Sequence, residues 1–133
     1  MRGASAIQDV LSENARAAVR VLIVWEPVIV TDVAMPTSST LARVHDARAA
    51  QFWDQDRALS GDIIRSVMAD PDRYSLPDEV DEKTVVWDVV AVFPPGATWD
   101  RDIPKPSFYG SPVVDAIDGL GPAIRGAKSS PPN

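Results

Sequence analysis

Val19 to Asp32, VRVLIVWEPVIVTD, is the stretch whose reading decides the fold. As extended chain it puts Val19, Val21, Ile23 and Trp25 on one face and Leu22 and Val24 on the other. Apolar residues on both faces mark a strand covered on both sides, the pattern of a sheet flanked by helices. Trp25-Glu26-Pro27 ends the strand, because proline has no N–H to give to a ladder. Working outward, Thr84 to Phe93, TVVWDVVAVF, repeats the pattern and predicts a second inner strand beside the first. Asp88 is its anomaly, a carboxylate in the middle of an apolar alternation.

The elements between and around these strands read as helices and loops. Ser5 to Ala18 has an S-x-x-Q capping box at Ser5 and Gln8, and Ile7, Val10, Leu11, Ala15 and Ala18 repeat at helical spacing. Pro36 and the hydroxyl residues after it predict a loop, and Thr40 to His45 a short strand. Asp46 then serves as N-cap of a short helix, ARAAQFWD. Ser60 caps a helix to Ala69 whose buried face is Ile63, Ile64, Val67 and Met68, and Asp70-Pro71 stops it. Asp70 to Lys83 is an acidic, proline-containing loop, and Trp99 to Gly110 a second proline-punctuated one. Ser111-Pro112 opens a last helix along Val113, Ile117, Leu120 and Ile124, weakened by Gly119, Gly121 and Pro122. Residues 1–126 are expected to form one domain, and 127–133 a disordered tail.

Composition narrows the function classes. The chain has 133 residues, 45% of them hydrophobic, enough for a core. Its net charge of -6 argues against a nucleic-acid partner, which needs a basic footprint. No apolar run reaches the ~18 residues of a membrane-spanning helix, so no membrane partner is expected. The start, MRGASAIQDV, lacks the apolar core of a signal peptide. The expected location is the cytoplasm, and a trimmed secreted form would read the same. There is no cysteine. Disulfides, thiol nucleophiles, thiolate metal sites and dithiol redox chemistry are therefore excluded within this chain.

The strand and turn around Trp25 resemble the thioredoxin-like superfamily, in which an apolar strand runs into W-x-P-x-C-x-x-C. Trp25, Glu26, Pro27 and Val28 match the lead-in, and Ile29 and Asp32 fall where the two cysteines would be. The blocks VLIVWEP, RVHDARAAQFWD, VVWDVVAVFPPGATW and SPVVDAIDGL look like a poorly described group of bacterial thioredoxin-like proteins. The resemblance implies a central mixed β-sheet flanked by helices. It also implies a proline facing the cysteine turn, for which Pro112 is a candidate, although Pro112 reads equally as a helix start. The superfamily's dithiol exchange is not carried over, since no cysteine is present.

Function then has to be sought in sites. Asp32, His45 and Asp88 are the candidates for acid–base or metal-assisted chemistry, which needs an imidazole or a perturbed carboxyl in a shared pocket. The plainer accounts are a helix cap for Asp46, beside His45, and an exposed or structurally paired position for Asp88. Trp25, Glu26, Trp53 and Trp99 are the candidates for contact with a ligand or partner, Trp99 because it lies in a loop. Asp46, Arg48, Trp53, Asp54 and Arg57 form a dense charged and aromatic patch that reads either as a contact surface or as salt-bridged helix surface. No phosphate loop or nucleophile elbow is present, and no metal or cofactor is expected. Two readings stand: a non-redox thioredoxin-like binding or accessory domain whose partner is a protein or small molecule, and a small Asp/His enzyme. A third option is a homodimer formed through a sheet edge or the Trp99 to Tyr109 loop.

Overall fold

The computed structural model describes residues 2–71 and 85–127. The expected loop from Asp70 to Lys83 and the expected tail lie mostly outside them. The described chain is mixed α/β: α1 (Arg2–Glu13), β1 (Val21–Trp25), α2 (Ser38–Leu41), β2 (Ala49–Trp53), α3 (Ala58–Ala69), β3 (Val90–Val92), β4 (Phe108–Gly110) and α4 (Val113–Gly126).

One central mixed sheet is not what the described residues form. β1 pairs in parallel with β2, with Trp25 opposite Trp53, and β3 pairs antiparallel with β4, with Val90 opposite Gly110. These are two separate two-stranded sheets, so β1 and the 84–93 segment are not ladder neighbours. The reason lies in two segments. ARAAQFWD, expected as a helix, is strand β2, because pairing with β1 outweighs the helix preference of its alanines. Of the expected strand at 84–93, the described residues keep only Val90–Val92. Asp88 adopts a left-handed backbone, φ 53°, which interrupts an extended chain, and Trp87 beside it is 61% exposed.

The register also places Leu22, Val24, Ala50 and Phe52 on one face of the β1–β2 pair. Leu22 is 57% and Phe52 50% exposed, so this face is open rather than covered. On the opposite face Gln51 ties the pair together. Its Oε1 accepts the Trp25 indole N–H at 3.0 Å, and its Nε2 donates to the carbonyls of Leu41 and Val44. The expected strand at 40–45 is instead α2, capped by Thr37, followed by a turn that ends on buried Val44.

The helices follow the sequence more closely. α1 begins earlier than its capping box implied, so Ser5 is interior. Gln8 instead reaches across to accept the backbone N–H groups of His45 and Asp46. The C-terminal end of α1 is closed by Arg48. Its guanidinium donates to the carbonyls of Leu11, Asn14 and Ala17 at 2.7–3.0 Å and is held by both carboxylate oxygens of Asp46. Asp46 is thus the partner of Arg48, not a helix cap, and the salt-bridged reading of this run holds for that pair.

α4 continues through Gly119, Gly121 and Pro122. It runs parallel to α1: Val113 lies against Gly3 at one end, and Arg125 donates to the side chain of Asn14 at the other. Gly119 is required by packing, since a Cβ there would lie 2.7 Å from the ring of Phe108 on β4. Among the described residues the core consists of Val10, Leu11, Val44, Ile64, Val67, Ile103, Val113 and Leu120.

Candidate functional site

Parallel pairing puts the residues that follow β1 and β2 side by side. Asp54 N–H donates to the Trp25 carbonyl at 2.8 Å, carrying the ladder one step past Trp53. Glu26 and Asp54 consequently bring their carboxyl groups within hydrogen-bonding reach of each other. In open parallel sheets the ground outside the carboxyl ends of the strands is where binding groups gather.

Glu26 is half-buried and turned toward the first turn of α3. It accepts the Ser60 N–H at 3.0 Å through Oε1, and it accepts the Ser60 hydroxyl through Oε2. Ser60, expected as the helix cap, is buried inside the helix, and its Oγ also accepts the Val86 N–H at 3.0 Å. The helix starts two residues earlier, after Arg57 in a left-handed conformation, φ 58°, and that arginine supplies no side-chain cap. Asp54 does the capping, taking the Leu59 N–H at 2.8 Å.

The two carboxyls have environments that push them apart. Burial pushes the Glu26 carboxyl above the usual carboxylate range, opposed by its bonds from Ser60 and reinforced by the neighbouring charge of Asp54. Burial acts on Asp54 in the same sense, but the amides of Leu59 and Ala58 and the hydrogen bond from Glu26 outweigh it and hold Asp54 below the usual range. Arg48 and its backbone N–H hold Asp46 down at about 2.

The other candidates are spread over the molecule. Asp32 closes the turn after β1: its carboxylate accepts the N–H groups of Val28 and Ile29 at 3.0 and 3.1 Å, and its own N–H donates to the Ile29 carbonyl. The two positions where the resemblance would put cysteines thus face each other across a hydrogen-bonded turn. His45 is exposed, and its backbone is tied to Gln8 on α1. Asp88 is exposed, with a carboxylate oxygen beside Gly3 in the first turn of α1. No hydrogen bond joins any two of these three. Among the described residues no group of three His, Asp or Glu side chains could hold a metal ion.

Trp25 and Trp53 are half-buried on the Gln51 face of the sheet, where Trp25 has its indole partner, and Trp99 is 40% exposed in its loop. A surface concavity of about 360 Å³ between α1 and α4 is lined by Val10, Ile117 and Pro122 with Asp9, Glu13, Asp118 and Arg125, and includes none of the candidates.

Sequence reasoning found Glu26 but missed Asp54 and Ser60 as its partners. Only the β1–β2 register reveals them, and that register was hidden once ARAAQFWD had been read as a helix. In the turn and just beyond it, Ile29, Val30, Val33 and Met35 are all exposed, Val30 being 94% exposed. Among the described residues no helix is long and apolar enough to cross a membrane. Comparison with protein-family models, with curated proteins and with solved structures finds no match to this chain.

Proposed function

We propose that this chain is a non-redox, thioredoxin-like binding or accessory domain that contacts its partner through the turn after β1. The observation that carries the reading is the turn itself. An apolar strand runs into Trp25-Glu26-Pro27, and Ile29 and Asp32 stand where the resemblance to the thioredoxin-like superfamily would put a redox pair. The turn and the residues just after it present Ile29, Val30, Val33 and Met35 to solvent. Exposed apolar side chains gathered in one loop are a costly surface for a molecule that contacts only water, and a natural one for an interaction site. The chemistry of Asp32 fits the same role: its carboxylate is spent on fixing the backbone of the turn.

Two measurements test the reading. Reduction of a protein disulfide by dithiothreitol should run at the same rate with and without the protein; acceleration would refute the non-redox part. Affinity purification from the source cell should retain a set of proteins with the native chain and lose it with Val30→Asp and Val33→Asp. Equal retention by the folded variant would refute the role of the turn. The Asp/His enzyme reading has no comparable support, because Asp32, His45 and Asp88 each have separate surroundings.

A further inference from the structure

We propose that the outer edge of β1 is a homodimer interface: it pairs antiparallel with the same edge of a second copy and joins the two β1–β2 pairs into one four-stranded sheet. The inference is independent of the partner-binding role of the turn after β1. It starts from what β1 leaves unused. Alternate residues of a strand turn their N–H and C=O to opposite sides. Val21 N–H donates to the Arg48 carbonyl, and the Trp25 carbonyl accepts the Asp54 N–H, so Val21, Ile23 and Trp25 serve β2. Leu22 and Val24 therefore direct their main-chain groups outward, where among the described residues they meet no partner. An edge in this state is a template for another strand, and proteins that stay monomeric blunt it with a charge, a proline or a bulge. VLIVW contains no charged residue and no proline, and its ladder to β2 has no bulge. The outer edge of β2 is less free: its Ala49 N–H already donates to the Asp46 carbonyl, and its Gln51 side chain is bonded to the turn after α2.

Charge selects a second copy of this chain, and one register of it. Outward-facing residues must meet outward-facing residues, so a two-fold pairing is centred on Leu22, Ile23 or Val24. Centred on Ile23, Leu22 lies opposite Val24 of the second copy and exchanges both main-chain hydrogen bonds with it, and the two-fold axis repeats the exchange. Two residues further out, Arg20 meets Glu26, which places opposite charges at both ends of the pairing. Arg20 is exposed and has no ion pair or side-chain hydrogen bond among the described residues. Glu26 accepts two bonds from Ser60, and a carboxylate has room for further donors. Centred on Leu22, Arg20 would face Val24; centred on Val24, Leu22 would face Glu26. Both lose the charge pair.

The side chains agree with that register. Leu22, Val24, Ala50 and Phe52 share the open face of the β1–β2 pair, and none of them is charged. Pairing sets Leu22 beside Val24 at the centre and joins the two open faces into one apolar strip, bounded at its ends by Arg20 and Glu26. A two-stranded sheet is marginal by itself, and four strands with a shared apolar face are a more stable unit. The contact is a small one, below the ~1,200 Å² of a standard interface, so the dimer forms and dissociates with concentration.

The test uses the full chain. Sedimentation equilibrium from about 10 μM to about 1 mM should show the mass rising from 14.4 kDa toward twice that value. Over the same range amide exchange at Leu22 and Val24 should slow by about threefold or more. A mixture of labelled and unlabelled chain should give an intermolecular contact between the Cα hydrogens of Ile23, the residue on the two-fold axis. Leu22→Pro removes an outward N–H that the single chain does not use, and should weaken the dimer about tenfold or more. Arg20→Glu sets like charges at both ends and should weaken it about threefold or more. Val30→Asp, in the turn, should leave it unchanged. A mass that stays at 14.4 kDa at the highest concentration would overturn the proposal. So would a dimer that survives Leu22→Pro and Arg20→Glu unweakened, or one that only Val30→Asp abolishes, which would put the interface in the turn. Should Leu22→Pro not fold, Arg20→Glu and the Ile23 contact decide.

Discussion

Replacing Arg48 by methionine should cost about 4 kcal/mol of stability. The magnitude comes from what the guanidinium does. Three of its five N–H donors go to the Leu11, Asn14 and Ala17 carbonyls at and just past the end of α1, the last two of which also accept the backbone N–H groups of Ala17 and Val19. A hydrogen bond from a charged donor contributes ~1.5–3 kcal/mol net. The Arg48 side chain is 20% exposed, so water can reach part of what it vacates, and the lower end of that range applies to each of the three bonds. The remaining two donors engage Asp46, whose carboxylate would be left without its partner.

Against the ~5–15 kcal/mol that keeps a domain folded, such a loss leaves little margin. Arg48→Lys should fall between the two, because an ammonium keeps the charge but cannot span three carbonyls and a carboxylate at once. The assay is urea unfolding followed by tryptophan fluorescence. With a slope of ~2 kcal/mol/M the midpoint should drop by about 2 M for Arg48→Met, with the slope unchanged.

The acid limb supplies a second readout. Asp46 is held at about 2 by Arg48, so its contribution is present above the ordinary aspartate range and is lost as pH falls through 2. In Arg48→Met the larger part of that acid dependence should disappear, the backbone N–H of residue 48 retaining the rest. A midpoint within 0.3 M of the native value would refute the reasoning, because the carbonyls would then be equally well served by water.

Two further substitutions probe the packing on either side of the candidate site. Gly110→Ala should destabilise by about 3 kcal/mol or more, since the added Cβ would overlap that of Ala116, which is fixed to the backbone of α4. Thermal unfolding measures this, and a change in melting temperature of less than 3 °C would contradict the tight β4–α4 approach. Gln51→Leu should cost about 2 kcal/mol by orphaning the Trp25 indole and the Val44 carbonyl and removing one of the two donors to the Leu41 carbonyl, and should shift the tryptophan emission. Urea unfolding and an emission scan test it; an unaltered spectrum with unaltered stability would show that the bridge is not made in solution.

How much of this could be read from sequence depends on whether the governing contact was local. β1, α3 and α4 were legible, because an apolar run, a helical stripe and their stops lie within ten or so residues. β2 was not. Its alanines favour a helix, and only the pairing of Ala49–Trp53 with Val21–Trp25 makes it a strand. Losing β2 hid Asp54 and Ser60, and with them the surroundings of Glu26. The alternation at 84–93 predicts a longer inner strand than forms, because the apolar pattern runs on across Asp88 where the backbone turns. The carboxylate that looked like a buried oddity is a backbone break, reached by a residue type that tolerates the left-handed region. Asp32 was read as a chemical group, whereas its three-residue distance from Ile29 also suits a side chain bonding its own turn.

The parallel pairing of α1 and α4 has a consequence for synthesis. The ribosome releases α1 first and α4 last among these elements, so Val10 and Leu11 have no C-terminal helix to lie against until more than a hundred further residues have been made. During that interval the amphipathic stripe of α1 faces water or whatever else is at hand, and a chain released before residue 113 never covers it. Truncated products should for this reason be the sticky, quickly degraded species in any expression of this protein.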